Sequence, residues 1–143
     1  MKQMIMNKKI AIDTNVLVYM RDKQENRKFQ IAKNILYATP VVCSQVAVEY
    51  MNVLKRLFKL TKQECMAICL CDTAICEFHT VDYQTLKYAN DLMLRYDFQL
   101  FDSIIVASSL EAGCEILYSE DFQHNQLIEN RLKIINPFIL INH

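Results

Sequence analysis

This chain has almost no glycine and no net charge. Gly113 is its single glycine among 143 residues, and no linker, low-complexity tract or internal repeat interrupts the sequence. Residues 1–143 are therefore expected to form one domain. The 16 basic and 16 acidic residues cancel, which gives no reason to expect bulk affinity for nucleic acid and leaves room for a local basic patch. No apolar run approaches the ~20 residues of a membrane span. The apolar stretch within Met1–Met6 is too short for a signal peptide, so a soluble, cytoplasmic protein with no membrane partner is expected. Paired C-x2-C knuckles are missing too. Cys65, Cys69, Cys71 and Cys76 follow a C-x3-C-x-C-x4-C spacing beside Met66, Ile68 and Leu70. That pattern fits small buried hydrophobes in a helix better than zinc ligands. With Cys43 and Cys114 they make six cysteines, for which a reducing compartment argues against disulfides.

What is present is a core-forming composition, 52% hydrophobic and 22% charged. Short apolar runs alternate with amphipathic stretches. Strands are expected at 8–12, 41–43, within 75–81, at 115–118 and at 132–135. Helices are expected from Val16, over 26–37, from Ser44 to about Lys59, from Thr61 to about Cys71, from Asp82 to about Tyr96, and over 103–112 with Asp102 as N-cap. Ser44, Thr61 and Asp82 have N-cap chemistry, and Gly113 sits where a left-handed helix end belongs. The alternation predicts a three-layer α/β/α domain with a mostly parallel central sheet.

Asp13 follows the apolar run Ile10-Ala11-Ile12, and Asp121 comes shortly after Glu115-Ile116-Leu117-Tyr118. If both strands are parallel in one sheet, both carboxylates emerge at its carboxyl edge, where open α/β sheets bind ligands. Glu49 and Asp102 lie on helices expected to face the same edge. Four carboxylates without a basic partner repel one another, and a divalent cation is the simplest way to gather them. The ordinary alternatives are a helix cap for Asp13 or Asp102 and a turn for Ser119-Glu120-Asp121. Glu49 is harder to set aside, because Val46, Val48, Tyr50, Met51 and Val53 surround it and neither Lys55 nor Arg56 is at pairing distance along the helix. Asp97 is a distant outsider, and His79 and His143 are expected to be structural or exposed.

The motifs carrying these acids resemble a known family. Ile12-Asp13-Thr14-Asn15-Val16-Leu17, Ser44-Gln45-Val46-Ala47-Val48-Glu49, the block from Phe101-Asp102 to Leu110, and Ala112–His124 with Ile135-Asn136-Pro137-Phe138 are similar, in order and separation, to PIN-domain nucleases of the VapC toxin type. Where relatives often carry His-Gly, this chain has His124-Asn125; asparagine tolerates a left-handed backbone, so the turn can persist.

The resemblance implies a metal-dependent endoribonuclease, the toxin of a toxin–antitoxin pair. Asp13, Glu49, Asp102 and Asp121 would hold Mg²⁺, with Mn²⁺ as a substitute. Asp13 and Asp102 would be the chief ligands, Glu49 a ligand or water-mediated base, and Asp121 a ligand to a second ion or through water. Thr14, Asn15 and Ser119 would orient the carboxylates, and hydrolysis would leave a 5′-phosphate and a 3′-hydroxyl. Single-stranded or looped RNA is the expected substrate. Arg21, Lys55, Arg56 and Lys59, with Lys23, Arg27, Lys28 and Lys62 nearby, are candidates to track its phosphates, and His124 is a candidate contact. The implied partners are a VapB-type antitoxin, facing helices 26–37 and 44–59, and a second copy of the chain; no DNA binding is expected without the antitoxin. Two alternatives stand beside this reading. One is a non-catalytic RNA-binding PIN module. The other is a receiver- or dehalogenase-like phosphotransfer domain, for which Asn15 lacks the second carboxylate that the dehalogenase type needs.

Overall fold

The computed structural model describes residues 8–139; the Met1–Met6 segment and His143 lie outside it. Six strands, β1 (Ile10–Ile12), β2 (Val41–Cys43), β3 (Glu77–His79), β4 (Ile116–Tyr118), β5 (Gln126–Ile128) and β6 (Leu132–Ile135), form one sheet in the order β3-β2-β1-β4-β6-β5. All neighbouring pairs are parallel except β5–β6. The helices are α1 (Thr14–Tyr19), α2 (Asn26–Tyr37), α3 (Ser44–Leu57), α4 (Lys62–Thr73), α5 (Tyr83–Tyr96) and α6 (Leu100–Glu111). They cover both sides of the sheet, so the expected three-layer, mostly parallel α/β arrangement is the one observed. None of the described helices is long and apolar enough to cross a membrane.

The central strands β1, β2 and β4 are buried at every position. This accounts for their unbroken Ile/Val/Leu character, because a parallel strand covered on both faces has no polar side to present. Leu17, Leu54, Leu92, Ile105, Leu117 and Ile134 are fully enclosed, each stabilising the fold by roughly 1.5–3 kcal/mol of apolar burial. The chain passes from β1 outward to β2 and β3, then returns to the other side of β1 for β4. The boundary between β1 and β4 is therefore a topological switch point, and the crevice beyond their carboxyl ends is open to a ligand.

Several helix boundaries are set by local chemistry. Thr61 and Glu64 close a reciprocal capping box on α4, and Asp82 with Thr85 closes one on α5. Gly113 has φ +78° just beyond α6, where a side chain at Cβ would be strained. Two caps differ from expectation. Cys43, not Ser44, is the N-cap of α3, and the Ser44 hydroxyl accepts from the Val81 N–H instead. Gln99, not Asp102, is the N-cap of α6, which starts at Leu100 and puts Asp102 inside the first turn. Strand β5 is an element the sequence pattern does not signal. Its hairpin turns through Glu129 and Asn130, both at positive φ. The last turn of α5 holds that turn from the side: Arg95 pairs with Glu129, and the Tyr96 hydroxyl accepts from Glu129 N–H at 2.9 Å. Asp97 has a left-handed backbone and ends α5.

Cys43, Cys65, Cys69 and Cys114 are buried, Cys76 is half-buried, and Cys71 is exposed; all are free thiols. Cys71 thus departs from the buried role expected for this group.

Candidate active site

The site begins with sheet register. Ile10, Ala11 and Ile12 pair with Ile116, Leu117 and Tyr118, and one step further along both strands Asp13 meets Ser119. The Asp13 N–H donates to the Tyr118 carbonyl at 3.0 Å, and the Ser119 hydroxyl donates to Asp13 Oδ2 at 2.6 Å. Asp13 also caps α1 by accepting from the Thr14 N–H at 2.7 Å. Capping and a place in the site are therefore compatible for this residue.

From that point the three residues 13–15 fan out to three other parts of the chain. The Thr14 hydroxyl donates to Glu49 Oε2 at 2.8 Å, and Gln45 donates to the other oxygen of Glu49 at 3.3 Å. The Asn15 amide donates to Asp121 Oδ2 at 3.2 Å and to Ser119 Oγ at 3.4 Å. Ser119 Oγ accepts in addition from the Asp121 N–H. The Asp-Thr-Asn turn thus acts as the hub that holds Glu49 of α3 and Asp121 of the β4–β5 loop around Asp13.

The electrostatics place Asp102 in the same cluster. Asp13, only 3% exposed, has its pKa raised from 3.8 to about 7, chiefly by burial and further by the charges of Asp121 and Asp102; the Ser119 and Thr14 hydrogen bonds oppose the rise. Asp102 is pushed up to about 6 by burial and by the charges of Asp121 and Glu49. Both rises are in the direction expected where like charges are gathered at one place.

These residues fit a hard divalent cation. The donors are all oxygens, and the Asn15 side-chain carbonyl is buried without a hydrogen-bond partner. Among the described residues, no group of three or more His, Cys, Asp or Glu side chains stands ready to hold an ion as placed; Asp13 and Glu49 are turned onto donors of the chain itself.

Beside the acids lies a cavity of about 570 Å³, whose lining includes Thr14, Asn15, Val18, Glu49, Val53, Arg56, Leu57, Phe101 and Asp121.

The sequence profile of the PIN domain matches residues 10–129. The chain belongs to the PIN-domain family. No curated protein sequence matches it. Solved structures resemble it in fold. VapC20 of Mycobacterium tuberculosis, a sarcin–ricin loop cleaving toxin, has a TM-score of 0.63 at 17% identity over 78% of this chain and 89% of that one. A toxin–antitoxin complex from Klebsiella pneumoniae gives 0.67 at 18% identity, covering 92% and 99%. VapBC2 of Rickettsia felis, bound to a fragment of its promoter DNA, gives 0.65 at 14% identity, covering 89% and 98%.

Within this PIN domain, Asp13, Glu49, Asp121, Thr14, Asn15 and Ser119 of the residues named from the sequence are joined by hydrogen bonds at one sheet edge, and Asp102 is near enough for its charge to act on Asp13. The basic residues divide. Arg56 lines the cavity, and Lys55 and Lys59 are exposed at the end of α3. Arg21, expected on a phosphate track, is instead bonded through two nitrogens to Asp72 of α4 at 2.6 and 3.3 Å, and Asp72 also accepts from the buried Tyr50 hydroxyl at 2.5 Å. Arg21 ties α4 to the turn after α1, and Tyr50 ties α4 to α3. Lys28 is likewise engaged: it reaches Glu120 at 3.2 Å and the Tyr19 hydroxyl at 2.9 Å, and stacks over the Tyr19 ring. His124, expected to contact substrate, accepts through Nδ1 from the Asn136 N–H at 3.0 Å. It ties the β4–β5 loop to the chain after β6, and Asn125 follows at φ +67°, keeping the left-handed turn.

Sequence reasoning passed over three contributors. Gln45 sits four residues before Glu49, at helical pairing distance, and that spacing was the available signal. Glu120, taken for a turn residue, accepts from the Tyr19 hydroxyl at 2.5 Å and from Lys28. Phe101 reaches the cavity from the residue before Asp102; its signal was an aromatic adjoining an acid.

Proposed function

We propose that this PIN domain is a metal-dependent endoribonuclease, the toxin of a toxin–antitoxin pair, and that Asp13, Glu49, Asp102 and Asp121 are its catalytic residues. The observation that carries the reading is the hydrogen-bonded convergence of Asp13, Glu49 and Asp121 on the Asp13-Thr14-Asn15 turn at the switch point; the raised pKa of Asp13 and Asp102, caused chiefly by burial, accompanies it. Acids gathered in this way suit a cationic ligand.

Asp13, Glu49, Asp102 and Asp121 would hold Mg²⁺ or Mn²⁺. When bound, such an ion supplies an activated water and neutralises charge developing on a phosphodiester and its leaving oxygen. The chain's own part is orientation. Ser119 and the Thr14 N–H fix both oxygens of Asp13, Thr14 and Gln45 fix Glu49, and Asn15 fixes Asp121. With its carboxylate set in this way, Glu49 would take a proton from a water in the cavity. Arg56 on the cavity wall, with Lys55 and Lys59 beyond it, supplies positive charge for the RNA backbone. The antitoxin partner is inferred from the toxin–antitoxin complexes that share the fold, and a second copy of the chain is the other expected partner.

The alternatives have less support. A phosphotransfer domain of the dehalogenase type needs a second carboxylate two residues after the first, where this chain has Asn15. A purely RNA-binding module has no use for four repelling acids at its ligand edge. The test is cleavage of single-stranded RNA by the purified, antitoxin-free protein with Mg²⁺ or Mn²⁺. Asp102→Asn is expected to abolish turnover while leaving the thermal transition in place, and undiminished cleavage by that variant refutes the site assignment.

A further inference from the structure

The cavity beside the acids has a mixed lining. Thr14, Asn15, Glu49 and Asp121, with Tyr19, Asp22, Asn52 and Glu120, supply its polar part, while Val18, Val53, Leu57 and Phe101 supply apolar surface from α1, α3 and α6. Phe101 is 53% exposed and Leu57 59% exposed. Large apolar side chains left uncovered beside a charged site are a surface awaiting contact. Arg56 is the single cation on the lining, and it makes no ion pair among the described residues.

We propose that this apolar wall seats one unstacked base of the RNA strand being cut, with Phe101 as the stacking face and Arg56 as the contact to an adjoining phosphate. The inference rests on the ribonuclease reading and deepens it by naming what positions the substrate. Three observations favour a nucleotide as the occupant. First, an aromatic face, an unpaired guanidinium and a set of oxygen donors, side by side, match the base, the phosphate and the reacting group of one nucleotide. Second, a cavity of about 570 Å³ falls in the range that admits a small-molecule-sized unit such as one nucleotide. Third, Phe101 shares the cavity lining with Glu49 and Asp121, so a base resting on Phe101 places its own backbone beside those acids. Stacking of this kind accepts any base, so Phe101 supplies affinity and register, and preference among bases comes from the aliphatic wall around it.

The test uses short, fluorescently labelled single-stranded RNAs with one cleavage site, either intact or abasic at each of the two nucleotides flanking the cut in turn. Phe101→Ala is expected to lower kcat/KM on intact RNA roughly ten-fold, mainly through KM, and Phe101→Tyr, which keeps the ring, is expected to retain wild-type values. On the RNA that is abasic at the seated position, wild type is already slowed and Phe101→Ala adds nothing. An equal loss on intact and abasic RNA overturns the seat. So does no loss on either, which is the result expected if a protein segment is the true occupant of this wall. Fluorescence anisotropy with the same RNAs in EDTA repeats the comparison without turnover. A Phe101-dependent preference for the intact base in a protein that cleaves neither RNA supports the seat and refutes the ribonuclease reading. Turnover of intact RNA that is indifferent to Phe101 refutes the seat alone.

Discussion

Replacing Asp13 with asparagine should stabilise the metal-free protein at neutral pH, and the gain should grow with pH. The Asp13 carboxyl has an ordinary pKa of 3.8 and a folded-state value of about 7. Between those values the native state holds a proton that the unfolded chain has lost. Stability therefore declines as pH rises through this window and levels off above it. Three units at 1.36 kcal/mol each give about 4 kcal/mol as the largest penalty removed by a neutral side chain. Part of that is returned. The Ser119 hydroxyl donates to Asp13 and already accepts from Asn15 and from the Asp121 N–H, so a side-chain amide at position 13 meets a hydroxyl with little accepting capacity, at a cost of about 1 kcal/mol. The net expectation at pH 8 is a gain of ~1–3 kcal/mol, or roughly 3–10 °C in Tm.

The measurement is thermal and urea denaturation of wild type and Asp13→Asn in EDTA at pH 5, 6.5 and 8. Titrations of groups remote from Asp13 occur in both proteins and cancel in the difference, while Asp102 and Asp121, which share its field, are relieved together with it. Asp102, pushed up to about 6, destabilises the wild type in the same direction, but it is half-exposed and largely screened. Mg²⁺ should then raise the wild-type transition by mass action and leave that of the variant nearly unmoved. A variant less stable than wild type at pH 8, or a difference equal at pH 5 and pH 8, refutes the claim that burial and crowding govern this carboxyl.

Lys28→Met should cost about 1 kcal/mol in urea denaturation, since it removes a half-buried partner of Glu120 and Tyr19; it should also slow RNA cleavage by freeing the segment that carries Asp121, and Lys28→Arg should restore most of both. Gly113→Ala meets no steric neighbour but forces an L-residue to φ +78°, so about 1 kcal/mol of stability and roughly 2–4 °C of Tm should be lost, with cleavage unchanged.

The fold was legible because its central strands state their own burial. Ile10–Ile12, Val41–Cys43 and Ile116–Tyr118 are apolar throughout, and a helix with clear cap chemistry or periodicity follows most of them. Strand β5 was not legible, since Gln126-Leu127-Ile128 is short and its turn uses Glu129 and Asn130 in place of glycine. The support comes from Arg95 and Tyr96, more than 30 residues earlier in the chain. No local pattern records a contact of that range.

The site divides along the same line. Asp13 and Asp121 were legible because the ends of parallel strands converge by topology, and Glu49 because an acid among apolar neighbours needs a reason. What sequence reasoning did not foresee is how three of the phosphate candidates are engaged within the fold. Arg21, Lys28 and His124 are chemically suited to phosphate, and the structure commits them to Asp72, Glu120 and the Asn136 N–H. A charged side chain is available to a ligand only if no nearer partner inside the fold has claimed it, and pairing of that kind is set by tertiary geometry. Arg56 passes this test and Arg21 does not, although both looked alike in the sequence. The cations left free for the proposed substrate are thus fewer than the sequence offers, and Arg56 at the end of α3 lines the same cavity as Phe101 and Leu57.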